Sequence, residues 1–331
     1  METGQALTTT TGTIALGAAE AAGRVRRYLD ARQSPATQRA YRFHWSHWQT
    51  FAAARGYADL PATPAAVADY LTAQAEDRAP VASIQARLAA IAYYHAQAQA
   101  ENPARALGVV ETMKGIRRAL GVANTPKRAL VLSDLRRIVA GLPADLRGRR
   151  DRALLLIGYA GAFRRSELVA LTRADVDLDA RGAVITIRRS KTDQEGAGLV
   201  KVIPALADPT LCPVRALRAW LDVAGITSGA LWRGIDRWGH VRAGALDAKQ
   251  VARIVKAGAA AAGLDAARLA GHSLRAGYVT EAANAGADAW QIMEQTGHKS
   301  QETLRRYIRT AGVGAQRATL AAFGMASKAR K

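Results

Sequence analysis

Between about residues 20 and 120 apolar positions recur three and four apart, and no alternating stretch interrupts them. That period predicts helices over about 20–31, 35–55, 64–77, 81–100 and 108–120. Ser34-Pro35 and Thr63-Pro64 each place a capping hydroxyl before a proline suited to a first turn, and Gly56 offers a stop. Within YRFHWSHWQTF, 41–51, Tyr41, Trp45 and Trp48 fall at i, i+4 and i+7, the spacing of a core stripe. His44 and His47 stand between them without the further ligands a metal site needs.

Residues 1–17, rich in Thr, Gly and Ala, read as a disordered leader, and 18–120 as an all-helical domain. GVANTPKRALVLSD, from 121, carries Gly, Asn, Pro and basic residues, which suits a linker over 121–132. After Ser133, expected to cap a short helix, the pattern becomes mixed. A longer apolar helix is expected over about 149–162, with another following to about 171. AVITIRR (183–189) and GLVKVIP (198–204) are β-rich runs flanking a polar stretch, which predicts a hairpin. Helices are expected again around 213–224, 247–262, 274–285, 288–296, 301–309 and 315–325. The expected architecture is therefore mainly α with one small β-sheet: a helical N-terminal domain, a linker, and a larger α+β domain over 133–331.

Charge narrows the possibilities. Forty-seven Lys and Arg stand against 27 Asp and Glu, a net +20 spread along the chain. An excess of that size favours a polyanionic partner, either nucleic acid or an anionic membrane surface. The longest apolar run, ALLLIGYAGAF at 153–163, is too short to span a bilayer and is flanked by Arg152 and Arg164. The N-terminal stretch lacks a basic segment and carries Glu2, unlike a signal peptide. Cys212, the only cysteine, leaves no internal disulfide and no cysteine-based metal site. These features point to a cytoplasmic protein in contact with nucleic acid and not with membrane.

Four stretches could carry chemistry. GAFRRSELVAL runs an apolar helix into Arg164, Arg165 and Glu167; SKTDQ puts Lys191 on the hairpin; GHSLRAG sets His272 and Arg275 three apart at a helix start. HKSQETLRRYIR, 298–309, begins with His298 and Lys299 and places Leu304, Tyr307 and Ile308 on one face of a helix capped by Ser300. Each has an ordinary structural reading taken alone. Together they fit attack on a phosphodiester, which needs charge stabilised on non-bridging oxygens, a base for the nucleophile and an acid for the leaving oxygen. Arg164 and Arg275 supply permanently charged forks, Lys191 can protonate an alkoxide, and His272 and His298 can exchange protons near neutrality. Tyr307, a weak nucleophile at its usual pKa of about 10, becomes accessible beside several cations.

In that order, GAFRRSEL, RSKTD, GHSLRAG, TGHKS and RRYIR resemble the tyrosine recombinases of the lambda-integrase family, particularly its Cre and Xer branch. CPVRALRAWL, 212–221, is also wording common in that family. The resemblance covers nearly the whole chain and implies a two-domain clamp on duplex DNA, with a helical core-binding domain before the catalytic one. It implies that Tyr307 attacks the scissile phosphate to leave a 3′-phosphotyrosyl link, with Arg164, Lys191, His272, Arg275 and His298 completing the site and Glu167 orienting Arg164. Arg165 exchanges roles with Arg164 if the motif is shifted by one residue. Strand exchange would pass through a Holliday junction in a homotetramer on inverted-repeat half-sites, with the 315–325 helix reaching a neighbouring protomer. No cofactor or metal is implied, and no Walker P-loop is present. Arg42, Arg165, Lys299, Arg305 and Arg306 are candidate DNA contacts. Phe163 stands where the family commonly has leucine. The rival readings are a type IB topoisomerase-like nicking-closing enzyme and a catalytically silent DNA-binding regulator.

Overall fold

The structure, a computed structural model, describes residues 23, 24, 27, 32–121, 127–188, 198–298 and 300–302. The chain divides into two compact units, residues 1–125 and 126–331. The expected leader, most of the 20–31 helix, and the helices around 301–309 (beyond residue 302) and 315–325 lie outside the described residues.

The first unit contains α1 (Pro35–Arg55), α2 (Pro64–Glu76), α3 (Val81–Gln97) and α4 (Leu107–Leu120). Ser34 Oγ accepts from Thr37 N at 3.2 Å and Thr63 Oγ1 from Ala66 N at 3.2 Å, so both expected caps form, and Gly56 ends α1 in the left-handed conformation. Trp45 and Trp48 are buried with Val67, Tyr70, Leu71, Ile84 and Ile91, as the aromatic stripe predicts. His47 Nδ1 lies 3.0 Å from the Tyr70 hydroxyl. His95, which no sequence pattern marks, is fully buried. Its Nε2 accepts from Ala62 N at 2.8 Å, which leaves Nδ1 to donate to Ile91 O at 2.8 Å.

The second unit is built around α6 (Leu146–Ala160), which follows α5 (Leu132–Ala140). Residues 153–157 of α6 are all buried, because other elements surround the helix on every side. α7 (Arg165–Ala170) leads into β1 (Val176–Leu178), β2 (Gly182–Ile187) and β3 (Leu199–Pro204), an antiparallel sheet in that order with Val184 opposite Val202. Then come α8 (Pro213–Val223), the hairpin β4 (Arg233–Ile235) and β5 (Val241–Ala245), α9 (Ala248–Ala261), α10 (Ser273–Ala285) and α11 (Ala289–Thr296).

Two expectations need correction. Two small sheets form among the described residues where one was expected. The extra strands β1, β4 and β5 are three to five residues long and lack β-rich composition, so their partners define them and periodicity does not. Ser133 does not cap α5, which begins one residue earlier; the Glu281 carboxylate, far away in sequence, accepts from Leu132 N at 3.2 Å instead.

Residues 128–130 lie directly on α10. Arg128 N donates to Arg268 O at 2.7 Å and Leu130 N to Ser273 O at 2.9 Å. A Cβ on Gly277 would fall 1.8 Å from Leu130 O, so only glycine permits this approach.

Candidate active site

The site is assembled at element ends in the second unit. α6 stops at Gly161, Ala162 adopts a left-handed φ of 47°, and the chain turns through Phe163 into Arg164, the N-cap of α7. A left-handed alanine costs about 1 kcal/mol, so packing must hold this turn. Glu167, at the third position of α7, reaches back: one carboxylate oxygen accepts from Arg164 N at 2.9 Å and the other from the Arg164 guanidinium at 2.5 Å. With Glu167 buried and Arg164 mostly so, this pair fixes the guanidinium. Arg165 is exposed, so of the two adjacent arginines Arg164 is the one held by Glu167.

Arg275, in the first turn of α10, is 0% exposed. Its Nη1 donates to Ala162 O at 2.7 Å and to Thr296 O at 2.6 Å, which ties the turn after α6 to the end of α11. His272, one turn earlier in sequence, is the N-cap of α10. Burial, then Arg275, Arg164 and Arg165, hold its imidazole below its usual range.

His298 follows Gly297, whose φ of 67° ends α11 in the left-handed conformation and redirects the chain. Its Nδ1 is 2.9 Å from Thr296 Oγ1, while that hydroxyl donates to Ile292 O at 2.6 Å. Having spent its proton, the hydroxyl must accept, so Nδ1 carries the hydrogen and Nε2 of the neutral ring keeps its lone pair. Burial, followed by Arg275, Arg164, His272 and Lys201, lowers the pKa of His298 to about 3.

Lys201 was not singled out by the sequence reading. It sits in β3 between the exposed Val200 and Val202 and is fully buried. Apolar residues occupy both faces of LVKVIP, so alternation does not say which way the lysine points; only the pairing of Lys201 with Ile185 fixes it. Burial, then the repulsion of Arg275, lowers its pKa to about 7.

Arg164, Glu167, His272, Arg275 and His298, five expected site residues from three separate stretches, thus fall into one electrostatic cluster. Arg42 is exposed on α1 of the other unit. Lys191, Lys299, Arg305, Arg306 and Tyr307 lie outside the described residues. Ser300 Oγ accepts from Glu302 N at 3.2 Å, the expected capping contact. No group of His, Cys, Asp and Glu able to hold a metal occurs among the described residues, and none of their helices is long and apolar enough to cross a membrane.

Two expected outcomes follow from this geometry. Glu167→Ala should cost about 3 kcal/mol in denaturant melts, because it leaves a largely buried guanidinium without its partner and Arg164 N without an acceptor. Glu167→Gln, which keeps a neutral acceptor, should cost less; equal losses would show that the carboxylate charge supplies the whole effect and the neutral acceptor recovers none of it. The second concerns pH. A histidine lowered from 6.5 to about 3 on folding takes up protons preferentially in the unfolded chain between those values. Its contribution to stability is complete above pH 6.5 and is lost as pH falls toward 3. Acid titration followed by imidazole NMR should find His298 neutral at pH 5 and moved upward by bound duplex DNA.

Residues 129–312 match the Phage integrase family. The chain is 38% identical over 290 residues to the "Integrase/recombinase xerD homolog" of Selenomonas ruminantium, covering 86% of this chain and 84% of that one. It is 36% identical over 165 residues to "Tyrosine recombinase XerC" of Corynebacterium efficiens, covering 48% of this chain and 46% of that one. Among solved structures, the XerH site-specific recombinase bound to palindromic difH substrate matches with a TM-score of 0.57 at 19% identity, covering 78% of this chain and 72% of that one. A lambda integrase dimer bound to a COC' core site matches with a TM-score of 0.55 at 18% identity, covering 86% of this chain and 93% of that one. The fold is theirs, the cationic cluster falls within the matched region, and the chain belongs to the phage integrase family of tyrosine recombinases.

Proposed function

We propose that this recombinase cuts and rejoins duplex DNA with Tyr307 as nucleophile. The phenolate oxygen forms a bond to the scissile phosphorus, the 5′-oxygen leaves with a proton from Lys191, and a 3′-phosphotyrosyl ester remains. The free 5′-hydroxyl of a partner duplex then attacks that ester and releases the phenol. One phosphoester replaces another at each step, so the exchange needs no outside energy source.

The observation that carries this reading is the convergence of Arg164 and Arg275 with His272 and His298 at the ends of α6, α10 and α11. Two arginines match the non-bridging oxygens of a phosphodiester, and charge that develops there in a water-poor site is stabilised by several kcal/mol. His298, neutral with its Nε2 lone pair unprotonated in the free protein, is drawn toward the protonated, donating form when a phosphate dianion-like transition state approaches. The relative whose structure holds a palindromic substrate supports inverted-repeat half-sites. The remaining parts of the proposal are a helical 18–120 domain that contacts DNA, a Holliday junction intermediate in a homotetramer, a 315–325 helix reaching a neighbouring protomer, and action in the cytoplasm on the nucleoid. Arg42, Arg165, Lys299, Arg305 and Arg306 are proposed to contact the phosphate backbone.

The test uses a duplex carrying the recombination site with a nick one nucleotide from the cleavage position, so that the released fragment diffuses away. A protein–DNA adduct should accumulate and, after proteolysis, map by mass spectrometry to the peptide containing Tyr307. An adduct on another residue, or none at saturating DNA, would overturn the assignment. Two-site plasmids should then give deletion or inversion; relaxation without either product would favour nicking-closing instead.

A further inference from the structure

Lys201 puts an amine in the middle of a strand, fully buried, where a methionine would fill the same space at less cost. Its surroundings explain why packing alone does not account for it. α11 has only eight residues, and the last carbonyls of any helix have no partner within it. Here one is taken by the helix's own cap and two by side chains from other elements. Met293 O accepts from Gly297 N at 2.7 Å, Thr296 O accepts from Arg275, and Gln295 O accepts from the Lys201 ammonium. The Gln295 side chain returns the contact, donating to Ala160 O at 2.9 Å and facing Val202 O at 3.4 Å.

We propose that Lys201 is a positioning residue for His298: from β3 it holds the last turn of α11 by the Gln295 carbonyl and so sets where the imidazole stands beyond Gly297. The inference rests on the reading of the cluster as the active site. The linkage is short. Gln295 and Thr296 end the helix, Gly297 makes the turn, and Thr296 Oγ1 holds His298 Nδ1, so a shift of the last turn moves the ring with it. Misplacing a catalytic group by about 1 Å can cost about 100-fold in rate. The charges facing the ammonium are Arg275 from α10 and Arg164 from the turn before α7, which oppose it, and Glu167 from α7, which favours it. The Phe163 ring lies 5.2 Å from Nζ. A lysine kept among two arginines at the expense of stability, where an apolar side chain fits, is what a functional constraint looks like and a packing constraint does not.

Lys201→Met separates the two. The expected result is an unchanged or raised melting temperature and DNA binding within about two-fold, since a fully buried group touches no DNA. Single-turnover cleavage of the nicked duplex should fall about 10- to 100-fold. In the ¹⁵N spectrum of the full chain the His298 imidazole should change from one Nδ1–H tautomer to a mixture. Lys201→Gln, which keeps a donor, should fall between Met and wild type, and it carries the test if Met fails to fold. In a His298→Ala background the further loss from Lys201→Met should shrink to less than about two-fold, because both act through one ring. Cleavage by Lys201→Met within two-fold of wild type, or losses that multiply undiminished in the double variant, would overturn the proposal. Wild-type cleavage by His298→Ala would overturn the reading of the site itself, and the role of Lys201 with it.

Discussion

Tyr307→Phe should bind its DNA site with unchanged affinity and form no covalent adduct, a loss of at least about 10⁴-fold in single-turnover cleavage. The substitution removes one oxygen and keeps the ring, so any packing role of the side chain survives. What disappears is the only atom on that residue able to bond to phosphorus. Affinity should persist because phosphate neutralisation by many arginines and lysines supplies most of it, and that term is insensitive to a neutral phenol. A gel-shift titration alongside the denaturing gel reads both quantities from the same preparation. Cleavage by the phenylalanine variant at even a hundredth of the wild-type rate would mean another nucleophile does the chemistry. A parallel fall in affinity would mean that Tyr307 is a DNA contact first.

Arg275→Lys should retain the fold and lose about 10²–10³-fold in cleavage. Arginine holds two carbonyls, Ala162 O and Thr296 O, through one nitrogen of a planar, permanently charged fork. An ammonium is a point charge on a flexible stem, so it can hold those carbonyls or face a phosphate but not do both in fixed geometry. Stability should fall modestly, since a cation remains to meet the α11 end. Melting curves and cleavage rates measured on the same samples separate the outcomes. A rate close to wild type would reduce Arg275 to a strut between α6 and α11. A collapse of the fold together with the rate would show that its structural duty dominates.

Much of this arrangement can be read from sequence where the signal is local. Ser34 and Thr63 announce helix starts because a cap is a contact within three residues, and Trp45 and Trp48 announce a core because they share one helix face. The grouping of Arg164, Glu167, His272, Arg275 and His298 is legible only through the order of their motifs, since nothing local brings 164 near 298. What escaped the sequence reading depends on distant partners. Glu281 caps α5 in place of Ser133, and β4 and β5 are strands only by virtue of each other. Lys201 is the clearest case: its strand is apolar on both faces, so its burial is set by register against β2, and its partner is a backbone carbonyl that has no sequence signature. His95 escaped for the same reason, since both of its ring nitrogens serve main-chain atoms.

The fit of Leu130 against Gly277 extends the list of residues on which the proposed chemistry depends. α10 carries both His272 and Arg275, and with the Leu130 carbonyl filling the place of a side chain it cannot slide along its axis without dragging residues 128–130. The placement of the proposed site residues is therefore inherited from a residue with no functional group at all. A genetic screen for variants that no longer recombine would return Gly277 beside the charged residues, and a catalogue built from reactive side chains alone would have no explanation for it.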